Sequence, residues 1–296
     1  MKFIYSDKYH IDIGLHVFPT EKYKLIKERL IKDGIAKEKD FVESKAASDS
    51  DVLLVHTKDY VKKLKEGTLS PQEIFRLEIP CSKEAIESSW LCAGGTIEAC
   101  RNALKEDVGI HIGGGFHHAY PDHAEGFCYL NDVSVAIART MKDGLVRKAC
   151  VIDCDLHQGN GTAFIFAQEP DVFTFSIHQE NNYPPKEQSD LDIGLPDGAD
   201  DRLYLDKLGV VSDILDRHRP ELAMYLAGAD PFVGDVLGGL ALTKEGLIRR
   251  DSFVFSECKK RGISVCAVLA GGYASDVSDD VDIHVNMVEG AAQMFG

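Results

Sequence analysis

Apolar residues gather along the chain in short unbroken runs rather than in strict alternation. Val108–Ile112, Lys148–Asp155, Asp171–His178, Glu221–Gly228 and Gly262–Gly271 are such runs. Runs apolar on both faces are expected of parallel strands covered by helices on both sides. The stretches between them read as helices: Lys83–Lys105, Asp132–Lys142, Asp201–His218 and Thr243–Arg261, with Thr243 suited to cap the last. No repeat or low-complexity linker interrupts this alternation. The pattern predicts one α/β domain over residues 1–296, built on a mainly parallel central sheet with helices on both faces.

Sites in such sheets form outside the carboxyl ends of the strands. Each predicted strand runs there into residues that a buried strand does not require. They are Gly113-Gly114-Gly115-Phe116-His117-His118, Asp153-Cys154-Asp155-Leu156-His157, Ser176-Ile177-His178, Gly228-Ala229-Asp230 and Gly271-Gly272-Tyr273. Titratable side chains at five strand ends can converge on one crevice.

Their chemistry is specific in combination. Asp155 and His157 stand at i and i+2, so an extended chain projects both to one side. With Asp230 from another strand they make three protein ligands and leave a position open, as in catalytic zinc sites. Fe²⁺ suits the same mixed set. Two carboxylates leave such an ion a weaker Lewis acid than three histidines would, so it needs a base and a second donor beside it. The tandem His117-His118 after a glycine run offers a general base and acid. Tyr273, placed by a glycine turn, offers a donor to a developing oxyanion. Asp153 suits the orientation of a histidine through Nδ1 or the binding of a monovalent ion. Singly, each has an ordinary structural use as an ion pair, a loop histidine, a packed aromatic or a strand-end cap. Their shared position at the strand ends carries the functional reading.

Composition narrows the partners. Lys+Arg 33 against Asp+Glu 48 in 296 residues gives a formal net charge of −15. The lack of a basic stripe argues against a nucleic-acid partner, and long-range attraction favours a cationic one. No apolar run reaches the roughly 20 residues of a membrane span. Met1–His10 breaks into charge too early for a secretory signal. The eight cysteines include no CxxC pair. That fits small buried side chains in a reducing cytosol better than a disulfide frame or zinc knuckle.

Phe116-His117-His118-Ala119-Tyr120, Gly126-Phe127-Cys128-Tyr129-Leu130-Asn131-Asp132 and the Ile152–Gly161 segment together resemble the histone deacetylase family of the arginase/deacetylase fold. Ala227–Asp230 and Gly271–Tyr273 add to the likeness. The Gly234–Asp251 tract and His157–Gly161 are most similar to class IV members and their bacterial relatives. The resemblance implies that Asp155, His157 and Asp230 bind zinc, that His118 is the general base and acid, and that His117 supports the oxyanion. It implies that Tyr273 stabilises the tetrahedral intermediate, and that Asp153 orients His117 and, with Ser176, binds a structural K⁺. It places Gly126, Phe127 and Tyr183 on a tunnel for an acyl-lysine stem. The implied activity is removal of acetyl or longer acyl groups from lysine side chains of proteins or peptides by metal-activated water. An acetylpolyamine or other small-molecule amide is the alternative substrate. A silent acyl-lysine-binding module and a two-metal, arginase-like hydrolase are alternatives of other kinds. Two positions depart from the larger branches. Asn160 replaces an aspartate facing His118, and the rim loop Leu77–Pro80 offers only Glu78 for gripping a substrate backbone.

Overall fold

The computed structural model describes residues 1–296. Eight parallel strands form one sheet: β1 (Phe3–Ile4), β2 (Phe41–Val42), β3 (Val108–His111), β4 (Ala149–Asp153), β5 (Val172–Gln179), β6 (Leu191–Leu195), β7 (Leu222–Leu226) and β8 (Ser264–Val268). Their order is β2-β1-β3-β8-β7-β4-β5-β6. The five expected strands are β3, β4, β5, β7 and β8, and every pairing is parallel.

Burial on both faces explains the unbroken apolar runs. Cys150, Ile152, Ala223 and Tyr225 enter one core of 47 buried residues. Their neighbours Val151, Leu222, Met224 and Leu226 enter a second core of 34 on the opposite face. Alternate positions therefore both need apolar side chains, and the period-two signal disappears.

Helices Lys83–Glu106, Asp132–Lys142 and Lys244–Lys260 lie where their spacing predicts, the last capped by the Thr243 hydroxyl on the Gly246 N–H at 3.0 Å. The predicted helix Asp201–His218 is two helices, Asp201–Leu208 and Val211–His218, broken at Gly209-Val210. Glycine weakens helix propagation, and the break lets Leu208 and Val211 both turn into the core. The outer strands β1 and β2 at one side of the sheet and β6 at the other edge have no counterpart among the expected strands. Two of them are two residues long and carry no periodicity, and β6 is only partly buried. The closing helix Val277–Phe295, which packs against Lys244–Lys260, was also not expected.

Candidate metal centre and acyl tunnel

The strands β3, β8, β7 and β4 lie side by side, and their carboxyl ends deliver the candidate residues to one place. Asp153 ends β4 in register with Ser176 on β5. Two residues on, Asp155 directs Oδ1 at its own loop, accepting the His157 N–H at 2.8 Å, while Oδ2 accepts the Gly271 N–H at 2.7 Å. Asp230, beyond β7, accepts the Leu156 N–H at 3.0 Å through Oδ1. His157 Nδ1 lies 3.3 Å from Asp155 Oδ1 and 3.1 Å from Asp230 Oδ2. One ligand atom from each of Asp155, His157 and Asp230 lies within 4.8 Å of the others, and all three residues are buried.

This trio attracts positive charge. Burial, then the nearby Asp155 carboxylate, pushes Asp230 up to about 8. Burial alone would lower His157, but its hydrogen bonds to Asp155 and Asp230 raise it to about 10. A divalent cation satisfies the same field while leaving His157 neutral as a ligand, so one nitrogen and two carboxylates fit a metal of the zinc or iron kind.

The histidine pair stands beside it. His117 Nδ1 is 2.7 Å from Asp153 Oδ2, His117 Nε2 is 3.1 Å from His118 Nε2, and His118 Nδ1 is 2.8 Å from Asn160 Oδ1. The two rings are pushed apart in basicity. Burial opposes charge on His117, but Asp153 and Asp155 override it and raise the ring to about 9. Burial, then the charges on His117 and His157, holds His118 well below its ordinary value. His117 therefore holds a proton, and His118 is neutral with Nε2 as acceptor.

A cavity of about 280 Å³ adjoins these groups, lined by Phe127, Tyr183, Leu237 and Tyr273 together with His118 and His157. Gly126 (φ +52°) lies against it. A Cβ there would meet His118 Cδ2 at 2.7 Å and the Tyr183 hydroxyl at 2.8 Å, so the cavity wall requires glycine. Tyr183 has no hydrogen-bond partner for its buried hydroxyl. Glu78 ends helix Pro71–Leu77 in a left-handed conformation and lines the cavity rim, where burial and Glu125 raise its carboxyl. Ser176 Oγ lies 2.9 Å from His178 Nδ1, and the Asp153 carboxylate also accepts the Asp155 N–H at 3.1 Å.

Residues 16–288 match the family described as histone deacetylase domain. The chain belongs to the histone deacetylase family. An uncharacterized protein of Picosynechococcus is 39% identical, over 95% of this chain and 94% of its own. Histone deacetylase 2 of Arabidopsis thaliana is 30% identical, over 91% of this chain and 74% of its own. The crystal structure of a histone deacetylase homologue from Aquifex aeolicus superposes with a TM-score of 0.82 at 24% identity, covering 98% of this chain and 83% of that one.

Against this histone deacetylase frame, sequence reasoning passed over several supporting residues. Asp132 holds the histidine loop by accepting the Gly115 and Phe116 N–H groups at 3.1 and 2.7 Å. Asn131 Nδ2 donates to the His117 carbonyl at 3.1 Å. Asp235, 8% exposed, accepts the Tyr273 and Leu237 N–H groups, both at 2.8 Å. Asn131 and Asp132 sit inside a motif already singled out, whereas Asp235 carries no local signal. No helix is long and apolar enough to cross a membrane.

Proposed function

We propose that the protein is a metal-dependent deacylase that removes acetyl or longer acyl groups from lysine side chains of proteins or peptides. The observation that carries this reading is the buried Asp155–His157–Asp230 trio, whose His157 lines the cavity together with His118, with the unequal His117–His118 pair beside it. Zinc or iron held by Asp155, His157 and Asp230 would supply Lewis acidity toward the amide carbonyl and a more acidic water.

The chain's own groups do the rest. Phe127 and Tyr183 enclose the alkyl stem and exclude water from it. His118 Nε2 accepts the proton of the attacking water and returns it to the leaving amine. His117, kept protonated by Asp153, donates toward the developing oxyanion from the side of the ring pair. Tyr273 donates its phenolic proton in a hydrogen bond to the same oxyanion. Burial and the Asp155 and Asp230 carboxylates hold that phenol protonated. Asp153 and Ser176, neighbours in register, would also contribute to a structural K⁺ site. The excess of acidic residues favours approach of a cationic protein, peptide or polyamine.

The test is a panel of acetyl- and long-acyl-lysine peptides alongside acetylated polyamines, assayed with protein reconstituted with Zn²⁺ or Fe²⁺. Turnover of the peptides supports the reading. Turnover of polyamines alone moves the assignment to a small-molecule amidohydrolase, and binding without turnover moves it to a silent acyl-lysine reader.

A further inference from the structure

Asn160 is uncharged, so His118 has no carboxylate of its own. The structure places one at a single remove. Asn160 Nδ2 donates to Glu125 Oε1 at 2.7 Å and to the Tyr120 hydroxyl at 3.2 Å, and Tyr120 in turn donates to Glu187 Oε1 at 3.1 Å. Asn160 is 1% exposed, and only 15% of the Glu125 side chain is reached by solvent. Burial opposes the charge on Glu125, but the His123 ring 3.6 Å away and the hydrogen bond from Asn160 hold the group below its usual range, so it is an acceptor only.

That fixes the amide. Turning Asn160 over would set Oδ1 against an ionised carboxylate and leave Nδ2 without its best acceptor. With Nδ2 committed to Glu125, Oδ1 must face His118, where it can only accept. His118 therefore carries its proton on Nδ1, and Nε2, which faces His117 Nε2 at 3.1 Å, is the unprotonated base. Glu125 is itself held in a tight turn, its N–H and carbonyl bonded to Cys128 at 3.2 and 2.9 Å.

We infer that Glu125 is a positioning residue for the general base: through Asn160 it selects the Nδ1–H tautomer of His118. The inference rests on the deacylase reading, in which His118 Nε2 takes the proton from water. The mechanism above does not otherwise use Glu125, and no local motif marks it beyond its place before Gly126.

The experiment compares the zinc-loaded wild type with E125A, E125Q, N160D and the N160D/E125Q pair. E125A is expected to lower kcat about 10- to 100-fold with KM within about twofold, the range typical of groups that orient a functional residue. E125Q, which can still accept from Nδ2, recovers part of the loss. The deciding result is a reversal of sign. N160D sets a second carboxylate against Glu125, so adding E125Q to N160D raises kcat, whereas E125Q alone lowers it. In parallel, ¹⁵N NMR of the histidine rings reads the His118 tautomer without any turnover. The wild type is expected to be Nδ1-protonated, and E125A to populate the Nε2–H form. An unchanged tautomer in E125A overturns the inference, as does a loss of kcat by E125Q in both backgrounds. E125M keeps the length of the side chain without a strong acceptor for Asn160 Nδ2, and replaces E125A in the NMR comparison if the alanine variant does not fold. Absence of wild-type turnover on every acylated substrate would sink the deacylase reading instead, and the tautomer measurement would still decide the Glu125 relay.

Discussion

Gly271→Ala tests the metal centre through a single methyl group. Gly271 follows β8, and its N–H donates to Asp155 Oδ2 at 2.7 Å. A Cβ at this position would stand 2.7 Å from the same oxygen and overlap Asp230 Oδ2, where ordinary contact begins at 3.4 Å. Both carboxylates are buried, Asp155 at 1% and Asp230 at 0% exposure, so neither can retreat into solvent. Metal ligands tolerate displacements of only about 0.2 Å. The variant must therefore move two of three ligand atoms or shift the turn that carries Tyr273. We expect at least about a 100-fold loss of zinc affinity, near 2.7 kcal/mol, read by competition against a chromophoric chelator at fixed pH. Gly290→Ala is the control. It lies in helix Val277–Phe295 with open space around it, and should stabilise the protein by about 0.5–1 kcal/mol without touching the metal. A folded Gly271→Ala protein that binds zinc as tightly as the wild type would refute the reasoning.

Tyr273→Phe keeps the ring packing against Phe18 and Phe127 but removes the donor, so kcat should fall about 10²–10³-fold with zinc affinity unchanged; undiminished turnover removes Tyr273 from the oxyanion role. Asp235→Asn leaves one oxygen for two backbone N–H groups, and should cost about 1–3 kcal/mol in a denaturant titration and lower kcat through the displaced Tyr273 turn. An unchanged unfolding midpoint would show that the turn does not depend on it. Burial lowers His56 to about 4, and its Nε2 accepts the Asn131 N–H at 3.0 Å. Because the folded value lies below the unfolded one, the unfolded chain binds the extra proton between about pH 6.5 and 4. The contribution is complete above that window and lost on descending through it, by roughly 3 kcal/mol. His56→Gln should flatten the fall in melting temperature between neutral and acidic pH, and an equally steep fall in the variant would count against His56 as the cause.

The central strands and nearly all the candidate site could be read in the sequence because the two are linked. Strands buried on both faces leave long apolar runs, and polar residues at their ends then stand out. Asp155, His157, Asp230, His117, His118 and Tyr273 are all of this kind, and the structure brings them together. What escaped was set by tertiary contact. The pair β1 and β2 is held by register with β3 rather than by any pattern of its own. Asp235 and Glu125 look like surface acids in sequence and become informative only when their partners, the Tyr273 N–H and the Asn160 amide, are known. The break at Gly209-Val210 was hidden because both halves of the helix keep the same apolar spacing.

Asp155 and Asp230 hang from β4 and β7, adjacent in the sheet but joined through the distant crossover of β5, β6 and three helices. An ion shared between them exists as a bound species only when that whole crossover is in place. Occupancy and foldedness are then linked equilibria, and a free metal concentration 100 times the dissociation constant would add about 2.7 kcal/mol to the native state. On the proposed deacylase reading, depletion of the ion would thin the population of folded molecules as well as silence those that remain.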